Sequence, residues 1–127
     1  MKRACVGTKT FERPRRVEKP WGHELWWGFT DRYVGKVLHV EAGHRLSLQY
    51  HERKDETIHL WSGELVLVLD EGDGLREHRM QPGDSYHIKP RVKHRMIAVT
   101  DCDVLEVSTP EVEDVVRLED SYGRAGA

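Results

Sequence analysis

The sequence is poor in cysteine and has no long apolar run. Its two cysteines, Cys5 and Cys102, lack the spacing of a disulfide framework, which favours a reducing compartment. No apolar stretch approaches the ~20 residues that a membrane helix needs, and no apolar segment of a secretory signal follows the basic N-terminus. We therefore expect a soluble, cytoplasmic protein that does not enter a membrane.

The sequence also lacks an excess of charge of one sign. It contains 20 Lys and Arg residues and 22 Asp and Glu residues, which gives a formal net charge of -2. The basic residues form no patch interleaved with aromatic stacking platforms, so we expect no nucleic-acid partner. With 38% hydrophobic and 33% charged residues over 127 positions, the composition is typical of one globular domain.

Helical spacing is nearly absent after Trp21, apart from a turn predicted near residues 111–116. Short apolar or alternating segments separated by Gly, Pro and Asp predict strands instead. The predicted strands are 24–29, 33–40, 45–51, 57–61, 64–70, 75–80, 85–88, 94–99 and 104–108. The run 65–69, followed by the turn residues Asp70 to Gly74, marks a hairpin rather than a calcium loop. Many short strands at even spacing predict an antiparallel sandwich or a jelly-roll barrel.

Residues 1–18 are predicted to form an N-terminal arm ahead of a single domain at 19–127. The arm is rich in Lys and Arg, and Pro14 and Pro20 interrupt any helix there. Two interpretations remain open for it. It is either a solvated tail or an arm that adds a strand to a partner subunit.

A candidate metal site is formed by Gln49, His51, Glu56 and His94. Gln49 and His51 are two residues apart, so on a strand they point to the same face, where Glu56 and His94 can converge from neighbouring strands. An amide oxygen, two imidazoles and a carboxylate suit a divalent transition metal (Zn, Mn, Fe, Co or Ni) better than Ca. The alternative is a set of polar strand residues joined by hydrogen bonds.

These residues lie in segments that resemble the two cupin motifs. The stretch from Gly43 to Gly63 resembles the first motif, with Gln49 where the usual form has His, and the stretch 82–94 resembles the second. More narrowly, residues 19–22, 46–51 and 116–124 resemble the type II mannose-6-phosphate isomerase cupin. That cupin usually forms the C-terminal half of bifunctional mannose-1-phosphate guanylyltransferases. The resemblance implies an all-β, cupin-type double-stranded β-helix (jelly-roll barrel) over 19–127, and a homodimer.

The chain also departs from that family. Between His51 and Glu56 the family carries His-His-Arg-Ala, whereas this chain has residues 52–55 as Glu-Arg-Lys-Asp. Lys54 then stands where the family has arginine, which keeps the charge but loses the planar fork that grips a phosphate. No Gly-rich nucleotidyltransferase signature occurs, so the resemblance is to the isomerase half alone.

The resemblance implies a sugar-phosphate aldose–ketose isomerase whose metal stabilises an enediolate while a base moves one proton. The nearby candidates for that base are Lys54, Glu52, His87 and His59, of which we favour His87 and Lys54 as catalytic residues. A sugar or sugar phosphate would meet cationic residues drawn from Lys36, Arg45, Lys54, Arg117 and Arg124; we assign substrate binding to Lys36, Arg45 and Arg117.

Two other functions remain open. A non-catalytic cupin that binds a sugar or small ligand is the main alternative, and the departures at residues 52–55 favour it. A metal-dependent oxygenase is the third, because two histidines and a carboxylate resemble a facial triad, but Gln49 as a fourth ligand argues against it. The tryptophans 21, 26, 27 and 61 are interpreted as core or subunit contacts rather than as a sugar platform.

Overall fold

The computed structural model describes residues 11–125, which form strands and turns. The strands are β1 Arg15–Lys19, β2 Gly22–Phe29, β3 Val34–Val40, β4 Leu48–Tyr50, β5 Glu56–Ser62, β6 Leu65–Asp70, β7 Leu75–Met80, β8 Ser85–Ile88, β9 His94–Ala98, β10 Cys102–Ser108 and β11 Val116–Glu119. None of the residues in this range belongs to a helix with the length and apolarity that a membrane span requires.

The strands form two antiparallel sheets that enclose the core. The six-stranded sheet has the order β1-β2-β3-β10-β5-β8, and the five-stranded sheet has the order β11-β4-β9-β6-β7. Strands distant in sequence pair within each sheet, as in the β3–β10–β5 centre of the larger one. This all-β jelly-roll architecture confirms the predicted fold class.

The inward faces of β5, β6 and β10 follow from alternating burial along these strands. In β6 the residues Leu65, Leu67 and Leu69 are buried, while Val66 and Val68 between them are only partly buried. The register pairs Leu67 with Met96 of β9, so both side chains enter the same core layer. Burial of such side chains contributes about 1.5–3 kcal/mol each, which makes this interior the main source of stability.

Gly63 has a geometric reason to be glycine. Its φ is +96°, in the left-handed region that side-chain-bearing residues avoid. A Cβ placed there would lie 2.2 Å from the carbonyl oxygen of Asp101 and 2.9 Å from the Cα of Cys102. The tight turn from β5 into β6 therefore requires glycine.

Most predicted strands are confirmed with ends shifted by one or two residues. The hairpin is also confirmed, because β6 pairs with β7 and Asp70 Oδ1 accepts the N–H groups of Gly72 and Gly74. The strand predicted at 45–51 was too long, since β4 covers only Leu48–Tyr50. Arg45 instead makes an isolated β-bridge to Ile97 of β9.

Two strands were not anticipated. Residues 15–18, assigned by sequence to the arm, belong to β1 and pair with β2 of the same chain. The segment around 111–116 is a set of turns that leads into β11. Residues 1–10 of the predicted arm, including Cys5, lie outside the described residues.

A candidate metal centre in the barrel

Three of the four predicted metal ligands converge at one point of the interior. His51 follows β4, Glu56 begins β5 and His94 begins β9, and all three side chains are buried. One ligand atom from each lies within 4.8 Å of the others. Glu56 Oε2 is 2.9 Å from His51 Nε2 and 3.4 Å from His94 Nε2. A single ion placed among these atoms would contact all three.

The hydrogen bonds of the two imidazoles prepare them to bind a cation. His51 Nδ1 lies 2.6 Å from the carbonyl oxygen of Asp114, and His94 Nδ1 lies 2.9 Å from that of Val92. Because a carbonyl can only accept, each Nδ1 carries a proton, and in the neutral form of each ring this directs the Nε2 lone pair toward Glu56.

The buried Nε2 of His51 has no hydrogen-bond partner among the described residues, despite its proximity to the carboxylate. Two lone pairs and a carboxylate that face one another repel unless a cation lies between them. Metal-binding histidines commonly donate their other ring nitrogen to a carbonyl in this way. The donor set therefore fits a divalent metal ion.

Gln49 lies beside this group. It pairs directly with His94 across β4 and β9, and it lines the same cavity. Its Oε1 accepts a hydrogen bond from Ser47 Oγ at 2.5 Å. An amide oxygen has a second lone pair, so its role as a fourth ligand is compatible with this bond and stays a prediction.

Glu56 is held as a carboxylate. Burial opposes ionisation, but the positive charge of the Lys54 ammonium favours the carboxylate, and the pKa of Glu56 lies well below its usual value. Lys54 Nζ is 3.6 Å from Glu56 Oε1 and 3.0 Å from Glu106 Oε2. Burial lowers the pKa of Lys54, yet the two carboxylates raise it overall, so Lys54 stays an ammonium.

Glu106 is another ionisable residue of the cavity whose pKa is shifted by its surroundings. Its side chain is buried on β10, where burial and the nearby charge of Glu56 raise its pKa, against the opposing effect of Lys54 and Lys36. It therefore holds a proton more readily than an exposed glutamate does.

A second buried ion pair adjoins the first. Lys36 Nζ lies 3.3 Å from Glu24 Oε1, which also accepts the indole N–H of Trp26 at 2.8 Å. The ammonium of Lys36 lies 4.2 Å from the centre of the Trp26 ring, within cation–π range. Lys36 is therefore fixed by its own partners.

Three further cations line the same cavity, Lys19 of β1, Arg117 of β11 and Arg124 after it. Burial, followed by the charge of Arg124, lowers the pKa of Arg117, whose buried Nε has no hydrogen-bond partner among the described residues. Burial also lowers the pKa of Lys19. Arg124 is paired with Asp120 through two bonds of 2.9 Å.

The cavity encloses about 110 Å³. Since a water molecule takes ~30 Å³ of liquid, this space suits an ion with a few waters. A sugar would have to displace those waters and extend into the open mouth.

The structure brings Lys54, Lys36 and Arg117 to this cavity, but not His87 or Arg45. The expectation that His87 faces the cavity was wrong: Glu56 pairs with inward-facing Ile88, so His87, one residue earlier, points outward. It is half exposed and bonds Asp55. Arg45 is exposed and does not line the cavity.

The other base candidates also lie elsewhere. His59 bonds Ser85 on the outer face, and Glu52 forms an exposed pair with Arg91.

Sequence reasoning missed Glu24, Glu106 and Lys19. A usable signal existed for Glu106, because β10 alternates Cys102, Val104, Glu106 and Ser108 on its buried face. A carboxylate at an inward position of an otherwise apolar strand is costly unless it is paired, and so indicates a site.

Two antiparallel sheets that enclose a His-Glu-His cluster define a jelly-roll protein with a candidate metal centre. The chain belongs to the cupin family: the cupin domain model matches residues 36–108. The match includes β3 to β10, and with them all four predicted ligands.

The chain is similar to the xanthan biosynthesis protein XanB of Xanthomonas campestris pv. campestris, with 30% identity over 122 residues, covering 87% of this chain and 24% of XanB. It thus spans about a quarter of that relative.

Among solved structures, it resembles the capsular polysaccharide assembling protein CapF of Staphylococcus aureus. The TM-score is 0.70 at 18% identity, covering 85% of this chain and 33% of CapF. An RmlC-like cupin of Shewanella frigidimarina superposes with a TM-score of 0.69 at 16% identity, covering 81% of this chain and 92% of that one. These likenesses support the cupin fold.

Proposed function

We propose that this cupin is a metal-dependent sugar-phosphate aldose–ketose isomerase of the mannose-6-phosphate isomerase type. The observation that carries the proposal is the placement of the His51, Glu56 and His94 group beside the buried ammonium of Lys54. The same cavity is also lined by the cations Lys19, Arg117 and Arg124. The similarity to XanB, a xanthan biosynthesis protein, supports a substrate from sugar metabolism.

His51, Glu56, His94 and Gln49 would hold a divalent transition metal. Such an ion, when bound, supplies Lewis acidity to the adjacent oxygens of an open-chain sugar. Lys54 adds a fixed positive charge next to the same place, where negative charge develops on oxygen as a proton leaves carbon. Because Lys54 stays protonated, its role is to stabilise charge rather than to accept the proton.

The proton transfer between the two carbons is assigned to Glu106. Among the described cavity carboxylates outside the ligand set, Glu24 is engaged by Trp26 and Lys36, which leaves Glu106. Its raised pKa suits a group that must accept a proton and return it.

Lys19, Arg117 and Arg124 would bind the phosphate of the substrate. Arg117 offers a buried, unpartnered Nε to an acceptor, and three neighbouring cations repel one another until an anion binds.

The test is an isomerase assay on protein loaded separately with Zn²⁺, Mn²⁺ or Co²⁺, with mannose 6-phosphate as substrate and fructose 6-phosphate as the measured product. We expect turnover that disappears in His94→Ala together with the bound metal, and turnover that falls at least 100-fold in Glu106→Gln while the metal is retained. Stoichiometric metal without turnover for any of the three ions would contradict the isomerase proposal.

The second candidate is a non-catalytic cupin that binds a sugar or small ligand. It is favoured by the pairing of Lys54 with two carboxylates, which keeps that ammonium engaged within the protein. Saturable binding of mannose 6-phosphate by metal-loaded protein without product formation would support it.

We also propose that the protein is a homodimer, with the outer face of the six-stranded sheet against a second copy. Trp27, Trp61 and Val107 are each more than half exposed on this face, and Val37 and Leu105 pair between them. Exposed large apolar side chains that lie together on one face commonly mark an interaction site.

Such a face can pair with itself across a two-fold axis, and Asp103, which also points outward from β10, is already paired with His39 at 2.8 Å. We expect light scattering to give twice the chain mass, and Trp61→Glu to give the mass of one chain. A monomeric parent protein would contradict this proposal.

A further inference from the structure

Asp114, in the turn segment between β10 and β11, binds the backbone that follows the candidate metal ligand His51. Its Oδ1 accepts the backbone N–H of Glu52 at 3.0 Å, and its Oδ2 accepts those of Arg53 and Lys54 at 2.7 and 2.9 Å. Partial burial opposes ionisation, but these three N–H groups lower the pKa of Asp114 overall. The side chain is therefore a carboxylate at neutral pH.

The backbone of the same residue binds the ligand itself. The carbonyl oxygen of Asp114 accepts the Nδ1–H of His51 at 2.6 Å. One residue thus accepts hydrogen bonds from four consecutive residues, 51–54, across 60 to 63 positions of sequence. The hydrogen bonds of the Asp114 carboxylate to residues 52–54 fix the position of the Asp114 carbonyl relative to the His51 imidazole.

We infer that Asp114 is a positioning residue for the metal centre: its carboxylate anchors the turn segment so that its carbonyl holds His51 with the Nε2 lone pair directed at Glu56. The inference rests on the metal centre of the proposed function. A free imidazole exchanges its proton between two nitrogens, and a ring held by a carbonyl at Nδ1 does not. The bond to Lys54 N–H also holds the backbone from which Lys54 reaches Glu56 and Glu106.

Only an acceptor with oxygens on both arms satisfies these three donors. In Asp114→Asn one oxygen becomes an NH₂ group, which donates and so confronts at least one of the N–H groups. The side chain keeps its size, so the change tests hydrogen-bond acceptance rather than packing. Glu113 is the matched control, because it is an exposed carboxylate at the adjacent position.

The experiment titrates metal-free protein with Co²⁺ and follows the visible absorption of the bound ion, for the parent chain, Asp114→Asn and Glu113→Gln. We expect Asp114→Asn to weaken Co²⁺ binding by about 10- to 100-fold, as loss of an outer hydrogen-bonding partner typically does, and Glu113→Gln to leave it unchanged. In the metal-free state, amide hydrogen exchange at residues 52–54 should accelerate in Asp114→Asn only, with far-UV circular dichroism unchanged.

Parent-like Co²⁺ affinity in Asp114→Asn would overturn the inference, and so would an equal loss in Glu113→Gln, since a general charge effect would then suffice. Failure of metal-free Asp114→Asn to fold would also overturn it, because the residue would then support the whole fold. If the parent chain itself bound no Co²⁺, the proposed metal centre would fail; a parent that binds and an unaffected variant would remove only the role of Asp114.

Discussion

The two ends of the barrel interior differ in their content of buried charge, although the same strands build both. On β3 the inward residues change from Val40 and Leu38 to Lys36, and on β9 they change from Ala98 and Met96 to His94. The apolar end gains free energy from burial, whereas each ionic residue at the other end must recover its desolvation cost from a partner. The apolar end therefore maintains the fold. The ionic end would be retained for the metal ion and the substrate of the proposed function.

The largest expected effect comes from breaking the ionic end on one side only. Lys54→Met leaves Glu106 and Glu56 buried without their ammonium, so we expect the metal-free protein to lose about 3–5 kcal/mol of unfolding free energy. Urea denaturation of the metal-free protein measures the loss. The double variant Lys54→Met/Glu106→Gln should recover most of it, and a double variant as unstable as the single one would contradict this account.

The next effect comes from the apolar end. Leu60 is fully buried, so Leu60→Ala should lower the unfolding free energy by about 2–5 kcal/mol through lost burial and the cavity it leaves. Co²⁺ affinity of the folded variant should stay within about threefold of the parent value, because additive effects are the rule for well-separated sites. A parallel loss of metal affinity would show that the two ends are not independent.

The smallest effect is expected at Asp120, beside the cations. Hydrogen bonding to Arg124 lowers the pKa of Asp120 to about 2. A carboxyl whose pKa is lower in the folded state stabilises the fold above its unfolded pKa, and that contribution disappears as the pH falls from ~4 toward ~2. Asp120→Asn should therefore cost about 1–2 kcal/mol at pH 7 and almost nothing near pH 2. Thermal unfolding at both pH values checks this, and a difference that grows in acid would refute it.

The apolar end and the convergence of His51, Glu56 and His94 were predictable from sequence because both depend on short patterns. The apolar run 65–69 and the turn residues after it predicted the hairpin. The two-residue spacing of Gln49 and His51 predicted a shared face, on which Glu56 and His94 could converge from neighbouring strands. The ionic end was harder to predict from the sequence. Glu106 and Lys54 meet only because β10 and β5 pair in one particular register, which no short sequence window contains.

The wrong expectation for His87 has the same origin. Successive strand residues point to opposite faces, so an uncertainty of one residue in the start of β8 decides between cavity and solvent. Strands β1 and β11 were missed because edge strands are short and bury little. In β1 no residue is fully buried, and Val17 is the only apolar one.

Arg117 and Arg124 both belong to the last strand and the turn after it, whereas the ligands of the candidate ion lie on or beside β4, β5 and β9. In the proposed function, two of the three residues that would bind the anion therefore lie in a different stretch of polypeptide from the residues that would hold the metal ion. Exchange of residues 116–124 between homologous barrels would change which acidic group of a substrate is selected and would leave the candidate metal ligands in place. Replacement of this C-terminal segment is therefore an evolutionary route to new specificities.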